Sequence, residues 1–193
     1  RSAKTRNDIS GHLVRLFVES FEVKPKLIVE LGVRGGESTF VLERVARHFD
    51  ARLVSVDLDD CSGISSYEKW SFIRGDDIKF AREFPKWCKK HGVSPAIDIL
   101  FIDTSHLFEH TCLEIKFWFP YLSDKAKVFL HDTNLRRLYF REDGSMGAGW
   151  NNKRGVIRAI EKYFNAEFNE EEEFTDILKG FIIRHYPKCS GMT

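Results

Sequence analysis

Apolar residues along the chain alternate between short continuous runs and helically spaced positions. The runs are rich in Leu, Ile and Val, as is typical of strands buried on both faces of a parallel sheet. Between them, apolar residues recur with the period of amphipathic helices. Because parallel neighbours need crossover connections, the alternation predicts a doubly wound α/β sheet. The predicted strands lie at 26–33, 52–59, 70–77, 97–103 and 126–132, and the predicted helices at 37–49, 78–91 and 107–121.

The two ends of the chain follow other patterns. Residues 1–24 are predicted to contain a helix that either covers the sheet or contacts another subunit of a homo-oligomer. Residues 135–153 contain charged and glycine clusters without a sustained period, which we interpret as a mobile lid over the site. Helical spacing returns at 154–164. The segments 168–178 and 180–186 then face each other across a turn and predict an antiparallel hairpin.

Length and composition are those of one ordinary domain. The 193 residues are 42% hydrophobic and 31% charged, enough to bury a core without disulfides or a structural metal. No apolar run reaches the roughly 18 residues of a membrane span, and the first residues lack the apolar centre of a signal peptide. The formal net charge of +1 gives no indication of nucleic-acid binding. We therefore expect a single cytoplasmic domain over 1–193 that binds a small molecule, without nucleic-acid or membrane partners.

Candidate ligand-binding groups follow the first three predicted strands. The segment VELGVRGGEST places Gly32 and Gly35 in a turn, where a ligand can approach backbone N–H groups. Asp57 ends the second strand, where a carboxylate can accept hydrogen bonds from ribose hydroxyls. Asp76 and Asp77 end the third, and one of them can accept from the amino group of adenine. Ligands bind beyond the carboxyl ends of parallel strands, so the order of these groups predicts an adenosyl ligand.

These motifs, with LVSVDLDD and FIRGDDIKFA, resemble the class I S-adenosylmethionine-dependent methyltransferases, and in particular the small-molecule O-methyltransferase and cephalosporin hydroxylase-like group. The resemblance implies a Rossmann-like, mostly parallel seven-stranded sheet with a C-terminal antiparallel hairpin, and S-adenosylmethionine as cofactor. Arg34 departs from the small residue of many members. It also interrupts a G-x-G-x-x-G turn, which disfavours the alternative of a nicotinamide dinucleotide. The predicted cofactor-binding residues are Glu30, Gly32, Arg34, Gly35, Ser38, Asp57, Leu58, Asp76, Asp77 and Asp103.

Two aspartates follow the fourth and fifth predicted strands. The segments FIDTSHLFEH and FLHDTN place Asp103 and Asp132 at neighbouring strand ends. Adjacent carboxylates repel unless a cation neutralises them, which indicates Mg²⁺ or another divalent ion. Thr133 and Asn134 complete the predicted ligand set, similar to the Asp, Asp and Asn ligands of catechol-type O-methyltransferases. Alternatively, the two aspartates cap helices or pair with the arginines at 136–137.

Two histidines accompany these aspartates. His106 and His131 have side chains that can accept a proton near neutral pH, as methyl transfer to a hydroxyl requires. His106 is the preferred catalytic base, with His131 the second candidate. His110 is interpreted as an ordinary helical residue. An alternative set of both candidate histidines with one carboxylate would bind iron as a facial triad and suit an oxygenase.

The lid sequence indicates the kind of acceptor. It combines several arginines with Tyr139, Phe140 and Trp150, so closure over an anionic or aromatic molecule is expected. The sequence thus favours divalent-metal-assisted methyl transfer from S-adenosylmethionine to a hydroxyl of a small molecule. Two other hypotheses are an adenosyl-binding or partner subunit without activity, and an iron-dependent hydroxylase.

Overall fold

The computed structural model describes residues 9–141, 143–149 and 152–193. Predicted strands and helices both appear, with ends that differ from the predictions by a few residues at most positions. In chain order the elements are α1 (Leu13–Val23), β1 (Leu27–Leu31), α2 (Glu37–Phe49), β2 (Arg52–Asp57), β3 (Trp70–Arg74), α3 (Asp77–Lys90), β4 (Ile97–Ile102), α4 (Phe108–Trp118), β5 (Leu122–Leu130), β6 (Leu138–Phe140), β7 (Met146–Ala148), α5 (Gly155–Phe164), β8 (Phe174–Leu178) and β9 (Phe181–His185).

Five parallel strands form the central sheet, in the order β3-β2-β1-β4-β5. Every residue of β1 and β4 is buried, which explains why their sequences are nearly continuous apolar runs. The strand order reverses between β1 and β4. Such a reversal leaves a crevice beyond the carboxyl ends of the two strands, and this crevice is where α/β proteins bind ligands.

Helices cover both faces of the sheet. Val29 of β1 belongs to a core cluster that also contains Phe84 of α3 and Trp118 of α4. The neighbouring Ile28 belongs to a second cluster, with Leu16 of α1 and Leu42 of α2. Successive residues of a strand face opposite sides of its sheet, so the two clusters are the two faces of β1. The doubly wound α/β prediction is confirmed.

The expected count of seven strands is not confirmed, because the central sheet contains five in the described part of the chain. The C-terminal hairpin forms as predicted, with β8 antiparallel to β9 and a turn at Lys179 and Gly180, whose φ angles are 49° and 82°. It is a separate two-stranded sheet. The link to β5 is made instead by Thr193, which exchanges two backbone hydrogen bonds with Leu130. The sequence pattern predicted that the two strands pair with each other, but it did not indicate that they form a sheet of their own.

The predicted lid is not aperiodic. It contains the antiparallel pair β6 and β7, three residues each, while Trp150 lies outside the described residues. The predicted cover helix is α1, which packs on α2 and contacts β5; residues 1–8 are likewise outside the described ranges. None of the helices in those ranges has both the length and the apolar character needed to span a membrane.

Candidate active site

The glycine turn after β1 is held in place by contacts with the ends of β4 and β2. Gly32 has a φ of 88°, and a Cβ at this position would lie 2.0 Å from the carbonyl oxygen of Asp103. Only glycine therefore permits this contact with the end of β4. Asp57 Oδ2 accepts the backbone N–H groups of Val33 at 2.7 Å and Arg34 at 3.1 Å. Asp57, which is predicted to bind the ribose, thus holds the turn with one carboxylate oxygen. Arg34, in the same turn, is exposed to solvent.

A buried carboxyl group lies beneath this turn. Glu30 has no solvent exposure and accepts hydrogen bonds from the hydroxyls of Ser38 at 2.6 Å, Ser55 at 2.6 Å and Thr39 at 2.9 Å. Burial raises the pKa of Glu30 to about 7, against the opposing effect of these donors. The predicted cofactor residues Glu30 and Ser38 are therefore bonded to each other inside the fold, where they join β1 to α2.

The predicted adenine ligands have separate surroundings. Asp76 caps α3 by accepting the backbone N–H of Lys79 at 2.8 Å. Asp77 is buried and lies 3.0 Å from Nε2 of His110 on α4. Leu58, at the end of β2, is 71% exposed. The structure thus leaves Leu58 and Asp76 at the surface near the strand ends, while Asp77 contacts the neighbouring helix.

Four ionisable side chains meet at the ends of β4 and β5. His131 Nδ1 lies 3.1 Å from Asp103 Oδ1 and 3.2 Å from Asp132 Oδ1. His106 Nε2 lies 3.0 Å from Asp132 Oδ2 and 3.9 Å from Asp103 Oδ1. Asp103, His131 and Asp132 each offer one ligand atom, and these three atoms lie within 4.8 Å of one another, close enough to hold a metal ion. The two aspartates that the sequence places at neighbouring strand ends thus lie together, and both candidate histidines contact them.

The backbone around this cluster has unusual angles. His106 and Asp132 have φ values of 56° and 58°, a left-handed conformation that costs side-chain-bearing residues about 1 kcal/mol or more. Asn152 supports one of them by donating from Nδ2 to the carbonyl oxygen of Asp132. Gly155 packs against the backbone of His106. Its Cα lies so close that an added Cβ would be 2.4 Å from the His106 carbonyl oxygen. Both contacts come from the end of the predicted lid and the start of α5.

The two aspartates differ in their acidity. Burial opposes ionisation of Asp103, but His131 and His106 hold its pKa below the ordinary value. Burial raises the pKa of Asp132 above the ordinary value, although the same histidines oppose this. Asp132 Oδ1 is also buried without a hydrogen bond of acceptable geometry to any described residue. A cation would satisfy this oxygen and offset the repulsion between the two carboxylates, so the donor set fits a divalent ion.

The other two predicted metal ligands do not join the cluster. Thr133 Oγ1 lies 3.4 Å from Nδ1 of His185, and Asn134 donates to the carbonyl oxygen of Pro187. The left-handed backbone of Asp132 turns the chain, so both side chains contact the C-terminal segment. The alternative pairing of the aspartates with arginines is not observed among the described residues: both aspartates contact His106 and His131, and Arg136 pairs with Glu171.

Sequence reasoning missed two neighbours of the cluster. His12, which precedes α1, is buried and packs edge-on against His131, with ring centroids 5.6 Å apart. Burial and the charge of His131 lower the pKa of His12 to about 3. Asn152 was missed as well. Neither follows a strand of the central sheet, so the rule that located the aspartates could not find them.

A family model described as a methyltransferase domain matches residues 29–133, more than half of the chain. The match runs from β1 to the residue after Asp132 and includes the glycine turn and the four-residue cluster. The chain belongs to this methyltransferase family. This match confirms, at the level of the family, the resemblance that the sequence motifs indicated. No curated protein matches the sequence significantly.

Solved structures show the same fold at low sequence identity. A putative O-methyltransferase from Klebsiella pneumoniae superposes with a TM-score of 0.59 at 16% identity, over 94% of this chain and 77% of its own. CalS11, a TDP-rhamnose 3'-O-methyltransferase, gives 0.55 at 15%, over 93% and 76%. MycE, in complex with Mg, SAH and mycinamycin VI, gives 0.51 at 20% over 65% of this chain. This chain spans about a third of the length of MycE.

Proposed function

We propose that this methyltransferase transfers the methyl group of S-adenosylmethionine to a hydroxyl group of a small molecule, assisted by a divalent cation, with Mg²⁺ the first candidate. The observation that carries the proposal is the cluster of two carboxylates and two imidazoles beside the glycine turn. Asp103 and Asp132 would hold the ion through their carboxylate oxygens, and Asp57, Leu58 and Asp76 would face the adenosyl group. The Mg in the MycE complex and the sugar substrate in the name of CalS11 support this choice.

The histidine–aspartate pair suits the proton transfer. S-adenosylmethionine would supply an electrophilic methyl group, and a cation held by Asp103 and Asp132 would lower the pKa of the acceptor hydroxyl. His106 receives the hydroxyl proton as the oxygen–methyl bond forms and the sulfur–methyl bond breaks. Asp132, 3.0 Å from the imidazole, stabilises the resulting imidazolium and fixes the orientation of its ring. The products are the methyl ether, S-adenosylhomocysteine and protonated His106.

The lid favours an apolar part in the acceptor. Leu138, Phe140 and Met146 are exposed on one face of the β6–β7 hairpin. Arg136 is paired with Glu171, and Arg141 donates to the carbonyl oxygen of Met146, so these two guanidinium groups already have partners. An aromatic or macrocyclic acceptor fits the exposed face better than a small anion.

Calorimetric titration with S-adenosylmethionine, beside NAD and with or without Mg²⁺, tests the cofactor. Saturable binding of S-adenosylmethionine alone is expected, and binding of NAD alone would refute the proposal. Methyl transfer to a panel of hydroxylated sugars, phenols and macrolides tests the reaction. Binding without transfer to any acceptor would instead favour the adenosyl-binding subunit.

Substitutions then assign the roles. His106→Gln should reduce the methyl-transfer rate by about 10²- to 10⁴-fold, the usual contribution of a general base. His91→Gln, at the residue that follows α3, should not. Asp103→Asn combined with Asp132→Asn should abolish the dependence on Mg²⁺ together with most of the activity. Full activity in the double variant would refute metal assistance.

An iron-dependent hydroxylase is the second candidate, because His106 and His131 both contact Asp132. Two histidines and one carboxylate are the ligands of non-haem iron oxygenases. This candidate requires iron in protein purified without oxygen and acceptor-dependent oxygen consumption. Methyl transfer by iron-free protein would exclude it.

A further inference from the structure

A second cluster of ionisable side chains lies between α3 and α4, outside the residues proposed for metal binding and proton transfer. Asp77 is the first residue of α3, and His110 and Glu114 lie one turn apart on α4. His110 Nε2 is 3.0 Å from Asp77 Oδ1 and 3.5 Å from Glu114 Oε1. One ligand atom from each residue lies within 4.8 Å of the other two. The two helices thus bring an imidazole and two carboxylates to one point.

The carboxylates of this cluster are buried and incompletely bonded. The side chain of Glu114 has no solvent exposure, and that of Asp77 is 9% exposed. Glu114 Oε2 and Asp77 Oδ2 have no hydrogen-bond partner in the part of the chain that the structure describes. No lysine or arginine among those residues forms an ion pair with either carboxylate. Buried carboxylate oxygens without partners are costly, so the fold leaves a place for a positively charged ligand.

We propose that Asp77, His110 and Glu114 form a second divalent-cation site, selective for zinc over magnesium. Zinc binds imidazole nitrogen and carboxylate oxygen together, whereas Mg²⁺ prefers oxygen ligands alone. Two ligands four residues apart on a helix lie on one face and can bind the same ion. Three protein ligands leave one position of a tetrahedral zinc ion for water. His110, interpreted from the sequence as an ordinary helical residue, is the nitrogen ligand.

A hydroxyl group orients one of the ligands. Thr104 Oγ1 donates to Glu114 Oε1 at 2.5 Å, which directs the other oxygen of the same carboxylate to the ion. Partners of this kind commonly orient metal ligands in proteins. Thr104 follows Asp103 directly, so the ion ties the start of α3 and the first two turns of α4 to the loop that carries the proposed catalytic residues.

Zinc titration of the full chain tests this site separately from the proposed methyl-transfer site. The starting protein carries Asp103→Asn and Asp132→Asn, which removes the first cluster, and is stripped with a chelator. Titration with zinc chloride should then show one equivalent bound per chain. Adding Glu114→Gln should weaken this binding on the order of 100-fold. Removing a group that only orients a metal ligand already lowers metal affinity by up to about 100-fold. Glu109→Gln, an exposed residue of the same helix, is the matched control and should retain the site.

Spectroscopy and a second variant make the result decisive. Zinc-edge X-ray absorption should show one imidazole among oxygen ligands in the Asp103→Asn, Asp132→Asn protein. His110→Gln, at a side chain 26% exposed, should lose the same equivalent and serves if the Glu114 variant does not fold. Absence of stoichiometric zinc in the starting protein, or its retention after both substitutions, would overturn the proposal. Neither outcome depends on whether the first cluster catalyses methyl transfer.

Discussion

At the scale of single residues, Glu30 couples stability to pH. Its folded-state pKa of about 7 lies above the ordinary value of 4.5 because the side chain is buried. The folded state therefore holds the proton more tightly than the unfolded state. The resulting stability is fully present below pH 4.5 and is lost as the pH rises through about 7. At about 1.4 kcal/mol per pKa unit, the free energy of unfolding falls by about 3 kcal/mol over this pH range.

We predict that Glu30→Gln removes this pH dependence. The variant loses an acceptor for three hydroxyl groups, so it should be less stable than the wild type at pH 5. That deficit should shrink or reverse at pH 8, because the amide has no charge to bury. Urea unfolding at pH 5, 6.5 and 8 measures the difference, with Glu43→Gln on an exposed ion pair as the control. Parallel pH profiles for wild type and Glu30→Gln would contradict the prediction.

Residues of the site were predictable where a strand placed them. Asp103 and Asp132 follow neighbouring parallel strands, whose carboxyl ends meet at one edge of the sheet, so sequence alone brought them together. Thr133 and Asn134 were misplaced because the left-handed backbone of Asp132 cannot be inferred from its residue type. Glu114 was missed because a helical residue shows its partners only after the helices are packed.

At the scale of elements, α5 supports the loop that follows β4. Gly155 is the first residue of α5, and a Cβ there would lie 2.4 Å from the His106 carbonyl oxygen and 2.9 Å from the backbone nitrogen of Phe108. Both are backbone atoms, which cannot move aside as a flexible side chain would. The approach of α5 thus depends on the missing side chain, and it sets the position of the proposed catalytic base.

We predict that Gly155→Ala displaces the His106 loop. Overpacking of this kind costs about 1–3 kcal/mol, and a shift of about 1 Å at a catalytic group costs on the order of 10²-fold in rate. Thermal unfolding and the methyl-transfer rate measure the two effects. Gly63→Ala is the matched control, because no atom lies within 4 Å of its added Cβ. Equal behaviour of the two variants would show that this contact does not position His106.

Elements were predictable where their period was long enough. Strands of five or more residues and helices of ten or more appeared as expected. The strands β6 and β7 have three residues each, too few to show an alternation, and the segment containing them was interpreted as aperiodic. Pairing of β8 with β9 was visible from the turn between them, whereas their separation from the central sheet depends on contacts distant in sequence.

At the scale of the whole molecule, the last residues connect three parts of the fold. Met192 is buried and pairs through its backbone with Tyr186, next to β9, and forms a bridge with His131. Thr193 pairs with Leu130 of β5. The C-terminal segment therefore joins the hairpin to the central sheet, beside the strand end that carries Asp132. The stability of the hairpin and the geometry of the Asp103–Asp132 cluster should therefore both depend on the turn at Gly191, directly before Met192.

Gly191 forms that turn, with a φ of 81°, and an added Cβ would lie 2.5 Å from the backbone nitrogen of Asn134. Gly180 has a φ of 82° with no atom within 4 Å of its Cβ, so it isolates the backbone strain. We predict that Gly180→Ala costs about 1–2 kcal/mol of unfolding free energy and that Gly191→Ala costs about 1–3 kcal/mol more through overpacking. Urea unfolding measures both costs, and hydrogen exchange of the Leu130 amide should accelerate only in Gly191→Ala. If the two variants lost equal stability, the C-terminal segment would not be packed against the loop after Asp132, and its role in joining hairpin, sheet and site would be wrong.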